Sequence, residues 1–133
     1  MTTVLLDTVG LIAIWDEDDP WHESAAFVFD RLLEEGRPLV VPVPILFECG
    51  NSAARRPYRL DVADLWQQMQ AAGQLIEPSE TDIATAWSAY RAGHAGGAGI
   101  VDQISFAIMR RLGLTEAFTN DRHFAAAGFK PLF

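Results

Sequence analysis

The chain has 133 residues, half of them hydrophobic, which is one ordinary domain's length with enough apolar material for a core; a disordered chain is excluded. Acidic residues outnumber basic ones 18 to 10, for a net charge of −8, and taken alone this argues against a nucleic-acid partner, since phosphate binding rests on Lys and Arg. A single cysteine, Cys49, excludes an intrachain disulfide and fits a reducing, cytoplasmic compartment, and no apolar run approaches the roughly 20 residues that span a bilayer.

The opening MTTVLLDTVG has no basic leader region and does not read as a signal peptide. Val4-Leu5-Leu6 is a short apolar run that predicts a buried strand, passing at Asp7-Thr8 into a helix marked by Val9, Ile12 and Ala13. Asp16 to Asp19 and Pro20 predict a turn. His22, Ala25, Ala26, Phe29, Leu32 and Leu33 then recur at helical spacing until Gly36. Leu39-Val40-Val41 predicts a second buried strand, ended by Pro42 and Pro44. A helix carrying Ile45, Leu46, Glu48, Cys49 and Ser52 stops before Pro57.

Val62, Leu65, Trp66 and Met69 mark another helix, closed near Gly73, and Leu75-Ile76 is a short strand candidate. Ile83, Ala86, Trp87 and Tyr90 mark the next helix, with Ser79 or Thr81 as its cap. Gly93 to Gly99 reads as a flexible loop. Val101 to Leu112 forms a helix face that Gly113 ends, Thr115 to Thr119 predicts a strand, Asp121 to Ala127 a short helix, and Phe129 to Phe133 a last edge strand. Strands alternating with helices predict a single α/β domain over 1–133, with a mostly parallel sheet of about four to five short strands. Such sheets bind ligands at the carboxyl ends of their strands, where Asp7 and Asp121 fall.

Most carboxylates have ordinary explanations. Asp16 to Asp19 form a solvated turn. Asp61, Asp64, Glu80 and Asp82 fall in first helical turns, where the helix dipole favours negative charge. Asp7 in VLLDTVGLIA, Glu48 in PILFECGN, Asp102 in GIVDQISFAI and Asp121 after AFTN differ. Each lies in or against an apolar stretch, where a desolvated charge is costly without a partner. The only lysine is Lys130, and no arginine is close in sequence to Asp7 or Glu48. A divalent cation of the Mg²⁺ or Mn²⁺ kind, which prefers oxygen ligands, resolves the excess charge; helix capping is the competing explanation for each residue taken singly.

A cation held by such a set can activate water for hydrolysis, with Asp7, Glu48, Asp102 and Asp121 as its ligands. Asp102, at a predicted helix start, is alternatively placed to orient the water. Thr8 and Asn120, and more weakly Thr119, are candidates to hydrogen-bond these ligands. His123 reads as structural rather than as a general base. Arg55, Arg56 and Arg59 form the densest basic stretch and are candidates for phosphate contacts, a solvated helix end being the alternative. Trp15, Trp21 and Phe27 read as core, or else as a groove for a partner helix.

LLDTVGLIAIW resembles the opening of a PIN domain, with Asp7 as its first acid. PILFECGN resembles the second motif, with Glu48, and GIVDQISFAIMRRLGLTEAFTNDRHFAAAGF is similar to the end of VapC-type toxins, with Asp102 and Asp121 as third and fourth acids. The resemblance implies a three-layer fold, a homodimer, Mg²⁺- or Mn²⁺-dependent cleavage of RNA and an antitoxin partner. The middle, from Pro57 to Gly96, carries no motif. Two other chemistries fit less well: a haloacid-dehalogenase-type phosphatase wants Asp-x-Asp after the first strand, and a receiver module wants a lysine after a late strand well before Lys130. A non-catalytic binding module of the same fold is the remaining alternative.

Overall fold

A computed structural model describes all residues, 1–133. The strands are β1 (Val4–Leu6), β2 (Leu39–Pro42), β3 (Leu75–Ile76), β4 (Glu116–Phe118) and β5 (Lys130–Pro131). The helices are α1 (Thr8–Trp15), α2 (His22–Glu34), α3 (Val43–Ala53), α4 (Arg59–Ala71), α5 (Glu80–Ala92), α6 (His94–Gly97), α7 (Ile100–Leu112) and α8 (Arg122–Ala126). All strand pairs are parallel, in the order β3-β2-β1-β4-β5. This is the expected α/β architecture of a five-stranded sheet flanked by helices.

The apolar run at β1 is explained by its place. It is the central strand, with Val4, Leu5 and Leu6 each fully buried, so no polar face is needed. One helix group packs together as α1 on α2 and α3, with α3 on α4; the other joins α5 to α7, and α6 and α7 to α8. Phe106, Phe118 and Phe124 are fully buried, with Phe106 and Phe124 edge to face at 4.9 Å between ring centroids.

The chain runs outward from β1 through β2 to β3, then crosses back to β4 on the other side of β1. The carboxyl ends of β1 and β4 therefore flank the point where strand order reverses, where a crevice opens in folds of this type. One glycine decides how tightly that end closes. A Cβ added at Gly10 would lie 2.2 Å from the carbonyl oxygen of Phe118 and 2.6 Å from its ring, so α1 lies against β4 with no room for a side chain.

The second helix group is fixed by a buried acid. Ser79 and Asp82 form a reciprocal capping box at the start of α5, and Arg111 of α7 binds both carboxylate oxygens of Asp82, the shortest bond being 2.7 Å. Asp82 is thus more than a dipole-favoured surface acid. The arginine holds its carboxyl below the usual range, against the opposing effect of burial. Asp64 lies beyond the first turn of α4, so the dipole does not account for it.

Local differences from the sequence expectation are small. Pro42 ends β2, but Pro44 sits inside the first turn of α3, where its missing N–H costs nothing. Between Gly93 and Gly99 there is one short turn, α6, with left-handed backbone at Ala95 and Gly96. Gln103, itself buried, donates from Nε2 to the carbonyls of His94 at 3.0 Å and Ala98 at 3.4 Å, tying that segment to α7. Trp21 and Phe27 are 51% and 64% exposed rather than core.

Candidate active site

Asp7 is the last residue before α1, at the carboxyl end of β1. Its extended backbone (φ −106°, ψ 156°) is that of a helix cap, yet its side chain makes no capping bond. Oδ2 instead accepts the hydroxyl of Thr119 at 2.8 Å, and Oδ1 is buried with no hydrogen-bond partner. The capping explanation therefore fails for this residue. Burial pushes its carboxyl up to about 7; the Thr119 hydrogen bond opposes that rise, and the charges of Asp102 and Asp121 add to it.

The other acids arrive from three further elements. Glu48 lies midway along α3, where Oε1 accepts the hydroxyl of Thr8. Asp102 is in the first turn of α7. Its carboxyl is pushed up to about 6, first by burial and then by the charges of Asp121 and Glu48. Asp121 caps α8, its Oδ1 accepting the backbone N–H of His123 at 2.9 Å and lying 2.6 Å from Nδ1 of the same histidine. Capping thus accounts for one oxygen of Asp121 and for neither oxygen of Asp7.

All four acids line one pocket of about 310 Å³, with Thr8, Val9, Gly99, Ile100 and Val101. Within it, ligand atoms of Asp102, Asp121 and His123 lie within 4.8 Å of one another, whereas Asp7 and Glu48 do not join that tight group. No lysine or arginine lines the pocket. Carboxylates brought together without a cationic side chain, one with a buried orphan oxygen, fit a hard divalent cation with oxygen ligands. The histidine adds one nitrogen donor to an otherwise oxygen set.

Three roles look different from the sequence expectation. Thr119, the weaker candidate, is the most connected hydroxyl of the site: it donates to Asp7 and accepts the backbone N–H of Asp121 at 3.0 Å. Its place two residues before Asp121 was the available signal, since Thr hydroxyls commonly accept an N–H two residues on. Asn120 forms no side-chain hydrogen bond and does not line the pocket. His123, read as structural, does bind Asp121, but from within the acid cluster itself.

The arginine stretch lies away from the pocket. Arg56 pairs with Asp16 at 3.2 Å and sits over the Tyr58 ring, and Arg59 donates to the carbonyl of Ala54 at 3.3 Å. Asp16 follows the far end of α1 from Asp7, a helix of 8 residues and so about 12 Å long. Arg55 is exposed on the same remote segment. Arg122, next to Asp121, and Arg91, near the end of α5, are exposed as well, and neither lines the pocket.

Comparison with known proteins gives the same architecture. The model of the PIN domain family matches residues 4–130. Among solved structures, VapC20 from Mycobacterium tuberculosis, a sarcin–ricin loop cleaving toxin, is similar with a TM-score of 0.76 and 23% identity, over 95% of this chain and 95% of that one. FitAcB from Neisseria gonorrhoeae is similar with a TM-score of 0.67 and 19% identity, over 98% of this chain and 96% of that one. At these identities the likeness is one of fold. No curated protein matches the sequence.

Proposed function

Since the chain belongs to the PIN domain family, we propose that it is a metal-dependent endoribonuclease that hydrolyses RNA phosphodiester bonds. The observation that carries this reading is the pocket in which Asp7, Glu48, Asp102 and Asp121 meet without a lysine or arginine, one oxygen of Asp7 being buried and unpartnered. These four residues would hold Mg²⁺ or Mn²⁺, which when bound lowers the pKa of water and stabilises charge on a phosphate.

The chain's own residues supply position. Thr119 fixes Asp7, Thr8 fixes Glu48, and the backbone and ring of His123 fix Asp121, so these three carboxylates enter the pocket with one oxygen already committed. Asp102, with no such tie, is free to orient the attacking water. The cluster's negative charge repels an RNA phosphate until a cation offsets it.

A wider setting goes with this reading: a cytoplasmic toxin of a toxin–antitoxin pair, acting as a homodimer. It is supported by the fold shared with a sarcin–ricin loop cleaving toxin and by the apolar side chains that Trp21 and Phe27 leave exposed for an antitoxin helix. No helix is long and apolar enough to cross a membrane.

The test is cleavage of single-stranded RNA by the purified chain. Activity is expected with Mg²⁺ or Mn²⁺, is lost with chelator and is abolished by Asp7→Ala, while Asp18→Ala, which removes the same charge from the solvated turn, changes little. Metal-independent cleavage, unchanged in Asp7→Ala, would sink the mechanism.

A further inference from the structure

An acidic nuclease whose densest arginine stretch lies far from its pocket must hold RNA by something other than many phosphate contacts. Trp87 and Tyr90 on α5 stack at 5.4 Å between centroids and 20° between planes, yet are 54% and 45% exposed. Arg91 is exposed beside them, and the three line one open concavity.

The position of α5 places them. Asp82 pairs with Arg111 at one end of the α5–α7 contact, Ala86 packs with Ile104 and Ile108 in its middle, and Gln103 binds the carbonyl of His94 just past its other end. The two helices are therefore antiparallel. Counting along them from the Asp82–Arg111 pair brings Tyr90 level with Gln103 and Arg91 level with Asp102. The last turn of α5, with Tyr90 and Arg91, thus stands level with the start of α7 that carries Asp102, while Trp87 lies about one turn earlier, level with Phe106; α5 then leads into the Gly93 to Gly99 segment, whose last residue lines the pocket.

We infer that Trp87, Tyr90 and Arg91 form a stacking platform for an unpaired base of the RNA strand whose phosphate enters the acidic pocket, an inference that rests on the ribonuclease reading. A π face accepts any base, and a neighbouring guanidinium adds cation–π attraction and one phosphate contact, so affinity comes mainly from stacking. The occupant is RNA rather than an apolar peptide because the patch carries a cation, Arg91, which is level along the α5–α7 pair with the pocket residue Asp102. It selects single strands, whose bases can be splayed out, over duplex.

The probe is a fluorescently labelled single-stranded oligoribonucleotide of about 12 nucleotides, enough to cross one such groove, with Ca²⁺ in place of Mg²⁺, read by anisotropy beside sedimentation of the protein. Trp87→Ala should weaken binding about tenfold, Trp87→Phe should restore most of it, and the oligomeric state and thermal midpoint of both should match the wild type. Unchanged affinity in Trp87→Ala, when the wild type binds and cleaves RNA, overturns the platform and leaves the nuclease reading standing. A wild type that neither binds nor cleaves the strand overturns both. Conversion of a dimer to monomers by Trp87→Ala overturns the platform by assigning the face to a second copy of the chain.

Discussion

Thr119 and Asp7 stand 112 residues apart in sequence and 2.8 Å apart in space, joined by the hydroxyl that Thr119 donates to Oδ2. The same hydroxyl oxygen accepts the N–H of Asp121, so one side chain sets two of the four pocket acids. Thr119→Val keeps the shape of the residue and removes both bonds. Metal affinity and RNA cleavage should fall about 10- to 100-fold, as for other residues that orient metal ligands, while Thr119→Ser should restore them. Isothermal titration with Mn²⁺ and a cleavage assay measure the two effects; full activity in the valine variant would remove Thr119 from the site.

Asp7 sets the pH dependence of the metal-free protein. Burial pushes its carboxyl up to about 7 in the folded chain from an ordinary 3.8, so between these values the folded state holds a proton that the unfolded state has released. The contribution of Asp7 to stability should therefore be greatest below about pH 4 and be lost as pH rises through about 7. Asp102, pushed up to about 6, acts in the same direction. In chelator, Asp7→Asn should flatten this decline and be at least as stable as wild type at about pH 8. Added Mg²⁺ should then stabilise wild type more than the variant. Urea melts across the pH range decide it, and a large loss in Asp7→Asn at every pH would contradict the account.

The Asp82–Arg111 pair responds with the opposite sign. A carboxyl held below its ordinary value stabilises the fold above that value and loses its contribution as pH falls through its folded range. Asp82→Asn should cost about 1–2 kcal/mol near neutral pH, combining a lost cap with a partly exposed ion pair. Chemical denaturation should show the difference from wild type shrinking as pH falls below the ordinary carboxylate range, with RNA cleavage per folded molecule unaffected.

Gly10→Ala tests how closely α1 must approach β4. Its Cβ would meet the Phe118 carbonyl, a backbone atom that cannot rotate away. Overpacking of this kind costs about 1–3 kcal/mol. The helix that begins just after Asp7 must also shift, so cleavage should fall in the fraction that remains folded. A thermal midpoint and a cleavage rate equal to wild type would show that the strand yields instead.

The strands and most helices were legible because each is a short apolar run or a 3.6-residue pattern bounded by Gly, Pro or acid. The four acids were legible because carboxylates stand out in apolar surroundings. Thr119 was undervalued because its importance depends on β1 pairing with β4, with Leu6 opposite Phe118, and nothing local to residue 119 specifies that register. Arg55, Arg56 and Arg59 form a charge run, but a run carries no distance: Asp16, 40 residues from Arg56, is what Arg56 meets. Arg111 and Asp82 are likewise 29 residues apart, a pairing that only the α5–α7 packing creates.

The parallel pairing of β1 with β4 also bears on when, during synthesis, the acidic pocket can form. Val4 must find Glu116, and parallel strands cannot be joined by a tight turn, so this closure spans most of the chain. Until β4 has left the ribosome, Asp7 has neither its Thr119 anchor nor the neighbouring Asp121, and a nascent chain carrying the first three acids holds no complete pocket. The order of translation therefore acts as a delay: the four-acid pocket is assembled only near the end of synthesis, once the last strand pair has closed.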